Sequence, residues 1–198
     1  MRQFNYSAFQ DMDYIFTSAI IHPLSGIIRF TEDGWRGLFN PSKCPSHEGI
    51  MIGLGSGGVK VWHILEMAPS NDGQKGDLKL HPLSMYLTNG LWSPSVMAVK
   101  RSNVYNVDIS LRMRAVQYCL DTWQEGKTKY DYSGCARWNE MFKWMKDKPK
   151  DYYCSEFREH IDQTVANFST VGLLGKRDDA TPDMHYKTRL TFDVPAYK

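Results

Sequence analysis

Two apolar runs joined by a glycine-rich pentapeptide constrain this chain more than any other feature of its sequence. Gly49-Ile50-Met51-Ile52-Gly53-Leu54 is apolar on both faces, as in a buried strand. Val59 to Glu66 alternates, as in a return strand. Leu54-Gly55-Ser56-Gly57-Gly58 between them has the glycine content of a hairpin turn. The pair predicts an antiparallel hairpin whose outer ends, His47 and Glu66, meet at one end of a sheet. Residues 95–101 predict a third strand. Residues 15–30 predict a short helix or strand, a turn at Pro23 and Gly26, then a strand. Residues 31–46 and 68–79 read as loops.

Helical spacing takes over in the second half. Ile109, Met113, Val116 and Leu120 share one side of a helix over 107–124, and residues 125–134 break it. Trp138 to Trp144 reads as a short helix. Phe157, Ile161, Val165 and Phe168 repeat at helical spacing in a segment that starts at Cys154. The tail, 176–198, is polar and irregular. Strands early and helices late predict an α+β fold, and 198 residues suit a single domain over 1–198.

Net charge is +2, and no basic face stands out, so nucleic acid is not an expected partner. The densest run, Lys143, Lys146, Lys148 and Lys150, is interleaved with Asp147 and Asp151 and reads as a solvated helix end and loop. No apolar run approaches the roughly 18 residues of a membrane span, so stable membrane insertion is not expected. Asp11 and Asp13 stand where a signal peptide would be basic and then apolar, which predicts cytoplasmic synthesis. A substrate in the cell envelope would then be reached by lysis or injection. Cys44, Cys119, Cys135 and Cys154 form no C-x-x-C pair, which fits a reduced compartment.

One of those cysteines has a setting for chemistry. A thiol attacks carbonyls as the thiolate, and a helix N-terminus or a nearby imidazolium favours that form. Cys154 opens a predicted helix, after Tyr152-Tyr153, whose bulk could line a cleft. His47 opens a predicted strand, and Glu66 closes the next one, within reach of an imidazole nitrogen. The plain alternatives are a buried inert cysteine, a strand-end histidine bonded to a carbonyl, and a solvated carboxylate. The other histidines read as structural or surface residues. His22 and His81 precede prolines, His63 lies opposite Trp62 on a strand, His160 projects away from Cys154, and His185 is in the tail. Cys44 and His47 have half-site spacing for zinc, with Cys119 or Cys135 to complete it. No second tight pair exists, so neither a metal nor another cofactor is expected.

Five elements in order carry a resemblance. They are Pro45-Ser46-His47-Glu48-Gly49-Ile50, Ile64-Leu65-Glu66, Tyr130-Asp131-Tyr132, Tyr152-Tyr153-Cys154-Ser155-Glu156-Phe157, and Thr181-Pro182. Together they resemble the YiiX-like permuted papain-fold enzymes, circularly permuted relatives of the NlpC-type cell-wall peptidases, over about residues 22–183. The order His, Glu, Cys is that of the permuted group. The resemblance implies a small antiparallel sheet packed on helices and a cysteine amidase or peptidase, with Cys154 as nucleophile, His47 as base and Glu66 orienting it. It places Tyr130, Tyr132, Tyr153 and Thr181 on the substrate side. The implied partner is a peptide or other amide, with peptidoglycan stem peptides the best-fitting class. Glu48 and Arg158 depart from the family, which is often apolar there, and Cys44 and residues 135–150 are idiosyncratic. Two rival readings stand: a lipid or N-acyl acyltransferase or lipase of the wider group, and a non-catalytic peptide- or glycan-binding module.

Overall fold

The computed structural model describes residues 3–18, 28, 44–55, 59–68, 76–87, 95–131, 151–170, 172 and 180–197. The fold is α+β. Eight strands are described: β1 (Asp13–Ser18), β2 (His47–Leu54), β3 (Val61–Met67), β4 (Leu78–Pro82), β5 (Ser95–Ser102), β6 (Lys129–Tyr130), β7 (Asp151–Tyr152) and β8 (Thr191–Val194). Four helices join them: α1 (Asn103–Val107), α2 (Ile109–Glu125), α3 (Cys154–Ala166) and α4 (Pro182–Lys187). Six of the strands form one antiparallel sheet in the order β4-β3-β2-β1-β5-β8. The remaining two, β6 and β7, pair in parallel.

The sheet is covered on both faces, and strand alternation sorts side chains between them. Tyr14, Phe16, Ile50, Ile52, Leu65 and Met67 face the helices and pack with Leu111, Ala115, Phe157 and Ile161. Ile15, Met51, Trp62, Ile64 and Val99 face the other way, against Phe4 and Phe9. That double burial explains the apolar runs of β1 and β2. The predicted hairpin is present, with Ile50 opposite Leu65 and Gly53 opposite Trp62. On its other side β2 pairs with β1, Phe16 opposite Glu48 and Thr17 opposite His47. An ion pair ties β1 to β5, with Arg101 Nε 2.7 Å from Asp13 Oδ1 and Nη2 2.8 Å from Oδ2.

The helices end where chain chemistry ends them. Asp108 caps α2 by accepting from the Leu111 N–H at 2.8 Å, and Gly126 closes it in the left-handed conformation. α3 closes on Asn167, also left-handed, just before Phe168 of the predicted stripe. Two strands of the large sheet lie outside the expectations, as does the short β6–β7 pair. Leu78–Pro82 pairs with β3, although its first residues fall within the stretch read as loop. The tail is not irregular: it holds α4 and β8, and β8 pairs with β5. Pro23, Gly26, the hairpin tip at 56–58 and the Trp138–Trp144 segment lie outside the described residues.

Gly49 sets how closely β2 and β3 approach beside the hairpin's open end. A Cβ there would lie 2.5 Å from Ile64 Cγ2 and 3.2 Å from the Leu65 carbonyl oxygen. Gly49→Ala is expected to cost about 1–3 kcal/mol through overpacking. Urea denaturation checks this as a lower midpoint at an unchanged m-value.

Candidate active site

Three of the sequence-predicted residues meet at one end of the sheet. His47 is the first residue of β2, Glu66 lies near the end of β3, and Cys154 is the first residue of α3. His47 and Glu66 are on the sheet face turned away from the helices, as are Met51 and Ile64. The His47 Nε2 lies 2.7 Å from Glu66 Oε2. The Cys154 side chain lies close enough to the imidazole to favour its charged form. With Nε2 committed to Glu66, Nδ1 is the nitrogen left for the thiol.

The electrostatics favour an imidazolium. Burial works against charge on His47, but the Cys154 sulfur and the Glu66 carboxylate outweigh it and hold the ring well above its ordinary value. Burial likewise works against charge on Glu66, and His47 with Tyr86 overcomes it, holding the carboxyl below its usual range. The His47 side chain keeps 21% exposure and Glu66 only 7%, so the ring has an open edge while its anchor is enclosed.

Glu66 holds more than the histidine. The Tyr86 hydroxyl donates to Glu66 Oε2, the oxygen that faces His47, and His81 Nε2 lies 3.9 Å from Oε1. Tyr86 sits on the 3-10 turn Leu83–Leu87 that follows β4. No pattern in the sequence marked it, because its partner is 20 residues away and its turn is not periodic. His81, which precedes Pro82, lies on β4 opposite Ile64.

The start of α3 supplies donors. Tyr153 is its N-cap and makes no side-chain capping bond, while the Phe157 N–H is already bonded to the Tyr153 carbonyl at 3.0 Å. The N–H groups of the first turn before Phe157 have no intrahelical acceptor, and the Cys154 N–H is among them. These donors and the helix dipole favour negative charge on or beside the Cys154 sulfur.

The residues expected on the substrate side take different places. Tyr153 is fully buried and Tyr130 nearly so, and both belong to the helix-side core. Thr181 caps α4, its hydroxyl accepting from the Met184 N–H at 3.2 Å. Tyr132 lies outside the described residues, as do Cys135 and His22. Cys119 is fully buried on α2, and burial first, then Asp162, pushes its thiol well up. Among the described residues no group of three or more His, Cys, Asp or Glu could hold a metal ion. No described helix is long and apolar enough to cross a membrane.

The raised His47 value has a measurable sign. A histidine raised on folding stabilises the fold fully below its unfolded value of about 6.5, and that stabilisation is lost as pH rises through the folded value. NMR titration of the His47 ring should therefore give a midpoint above about 6.5. Cys154→Ala and Glu66→Gln should each lower it, since each removes a group that favours the charged ring. No protein-family model matches this chain, and no curated protein matches it in sequence.

Proposed function

We propose that this protein is a cysteine amidase or peptidase with a circularly permuted papain-like arrangement. The observation that carries the reading is the junction of three elements. A cysteine at a helix N-terminus lies against a histidine, and the histidine's other nitrogen is held by a buried carboxylate at 2.7 Å. The chain order His47, Glu66, Cys154 supports the permuted arrangement.

The chemistry follows from the parts. His47 Nδ1 takes the thiol proton, and the sulfur attacks the carbonyl carbon of an amide. The oxyanion meets the Cys154 N–H at the helix start. Collapse breaks the C–N bond, and the departing amine takes the proton from His47. His47 then deprotonates water, which attacks the thioester, frees the acid and returns the thiol. Glu66 holds the ring in orientation and stabilises its charge, and Tyr86 holds Glu66. The substrate is the amide bond of a peptide, and peptidoglycan stem peptides are the class the motif resemblance favours.

The test is turnover of stem peptides and simple peptide amides, with trapped acyl-enzyme located by mass spectrometry. Cys154→Ala should abolish both signals. His47→Ala should slow turnover about 10²–10⁴-fold, the range for loss of a general base. Glu66→Gln should cost less, because it removes orientation and leaves the base. Undiminished turnover by Cys154→Ala would sink the reading. Acyl transfer to added amines or lipids, with little hydrolysis, would move it to the acyltransferase class.

A further inference from the structure

Directly behind the dyad lies a buried cluster of charge that the mechanism does not use. Glu48, Arg158, Glu159, Asp162 and His185 are each at most 1% exposed. His185, read as a structural or surface residue of the tail, has Nδ1 2.7 Å from Glu48 Oε1 and Nε2 3.2 Å from Glu159 Oε2. Arg158 Nη1 lies 3.6 Å from Glu48 Oε2, and its Nε lies 3.9 Å from Asp162 Oδ2. Its guanidinium stacks on Tyr14, 3.3 Å from the ring centroid. Asp162 also accepts from the Tyr14 hydroxyl at 3.0 Å and from the Thr170 hydroxyl.

Placement makes this cluster more than core. Glu48 follows His47 on β2, and Arg158 stands one helical turn after Cys154 on α3. Each member of the dyad thus has a cluster member beside it on its own element. α4 closes the set through His185, whose two nitrogens face one carboxylate from β2 and one from α3. Carboxylates accept only, so this geometry is satisfied by an imidazolium donating on both sides. The charges facing His185 come from both elements packed on it: Glu48 from β2, and Arg158, Glu159 and Asp162 from α3. Burial opposes charge on His185, and the pairing with Glu48 and Glu159 overrides it. Glu48 and Arg158 are opposite in sign and they face each other.

We propose that Glu48, Arg158, His185 and Glu159 form a positioning clamp that fixes the register and rotation of α3 against β2, and so the separation of Cys154 from His47. These are positioning residues and touch no substrate. The proposal rests on the thiol-dyad reading above.

The test needs no substrate. Iodoacetamide alkylation of Cys154 is followed against pH, with labelled peptides resolved by mass spectrometry and folding checked by circular dichroism. In the wild type, Cys154 should alkylate at pH 6 far faster than the buried Cys119. Glu48→Gln should slow that alkylation about tenfold, because the clamp is loosened. Through-space charge alone would act oppositely, since removing a carboxylate favours a nearby thiolate. Arg158→Met should slow it as well, and Arg158→Lys should keep most of the wild-type rate. If the single variants do not fold, the double variant Glu48→Leu/Arg158→Met leaves neither of that pair's charges uncompensated and takes their place. A folded Glu48→Gln or double variant that alkylates at pH 6 as fast as the wild type, or faster, overturns the clamp. A wild-type Cys154 that alkylates like a free thiol overturns the dyad first, and the clamp with it.

Discussion

Consecutive residues of a strand face opposite sides of a sheet, and at the start of β2 that constraint divides one pair of neighbours between two tasks. His47 faces the side shared with Glu66 and Ile64, while Glu48 faces the helices and meets Arg158 and His185. A slip of one residue would exchange them and put a carboxylate where the imidazole belongs. The register is held from both sides. β3 pairs Ile50 with Leu65, and β1 pairs Tyr14 with Ile50. Apolar residues on both faces leave a slipped strand no better partner, since Met51 and Ile52 are both fully buried. The large sheet therefore works as the frame that keeps one imidazole aimed.

The aim also depends on charge that the frame encloses. A carboxylate at the bottom of the site would be costly unless partnered, and Glu66 has three partners: His47, Tyr86 and the more distant His81. Sharing one oxygen between His47 and Tyr86 leaves the carboxylate little freedom to rotate away from the ring. The contrast with Cys119 shows what a cysteine is without such a setting. It lies in the middle of α2, away from any helix terminus, and burial with Asp162 nearby disfavours its thiolate. Position in the chain's elements, more than residue type, separates the two thiols.

Much of this was legible in the sequence because it is local. The hairpin shows as two apolar runs around glycines, and α3 shows as Phe157, Ile161 and Val165 at helical spacing, so Cys154, His47 and Glu66 could be placed on element ends. What was not legible is long-range or short. β4 and β8 hold five and four residues. Strands that brief carry too little alternation to stand out. Tyr86 reaches Glu66 through a turn without period. His185 sits on a six-residue helix whose Thr181-Pro182 start was readable, but its burial depends on Glu48 and Glu159, 137 and 26 residues away. Tyr130 and Tyr153 looked like cleft residues because aromatics suit both clefts and cores, and only packing distinguishes the two.

A buried ionic cluster is a poor way to gain stability, since desolvation offsets most of the attraction and apolar side chains of similar volume often do as well. What apolar packing lacks is direction. A stripe such as Phe157 and Ile161 holds α3 at a set distance from the sheet, but a small rotation or slide costs it little. Charge pairs respond differently. His185 must present both nitrogens to Glu48 and Glu159 at once, and Arg158 must keep its plane on Tyr14 while its ends face Glu48 and Asp162. Few rotations of α3 keep all of these at once, Arg158 by ion pairing and stacking rather than by hydrogen bonds. The proposed proton transfer from Cys154 to His47 needs that kind of precision, because a thiol displaced by about 1 Å can cost a hundredfold in rate. The apolar face of α3 secures the helix, and the charged turn behind Cys154 sets where on that face it comes to rest.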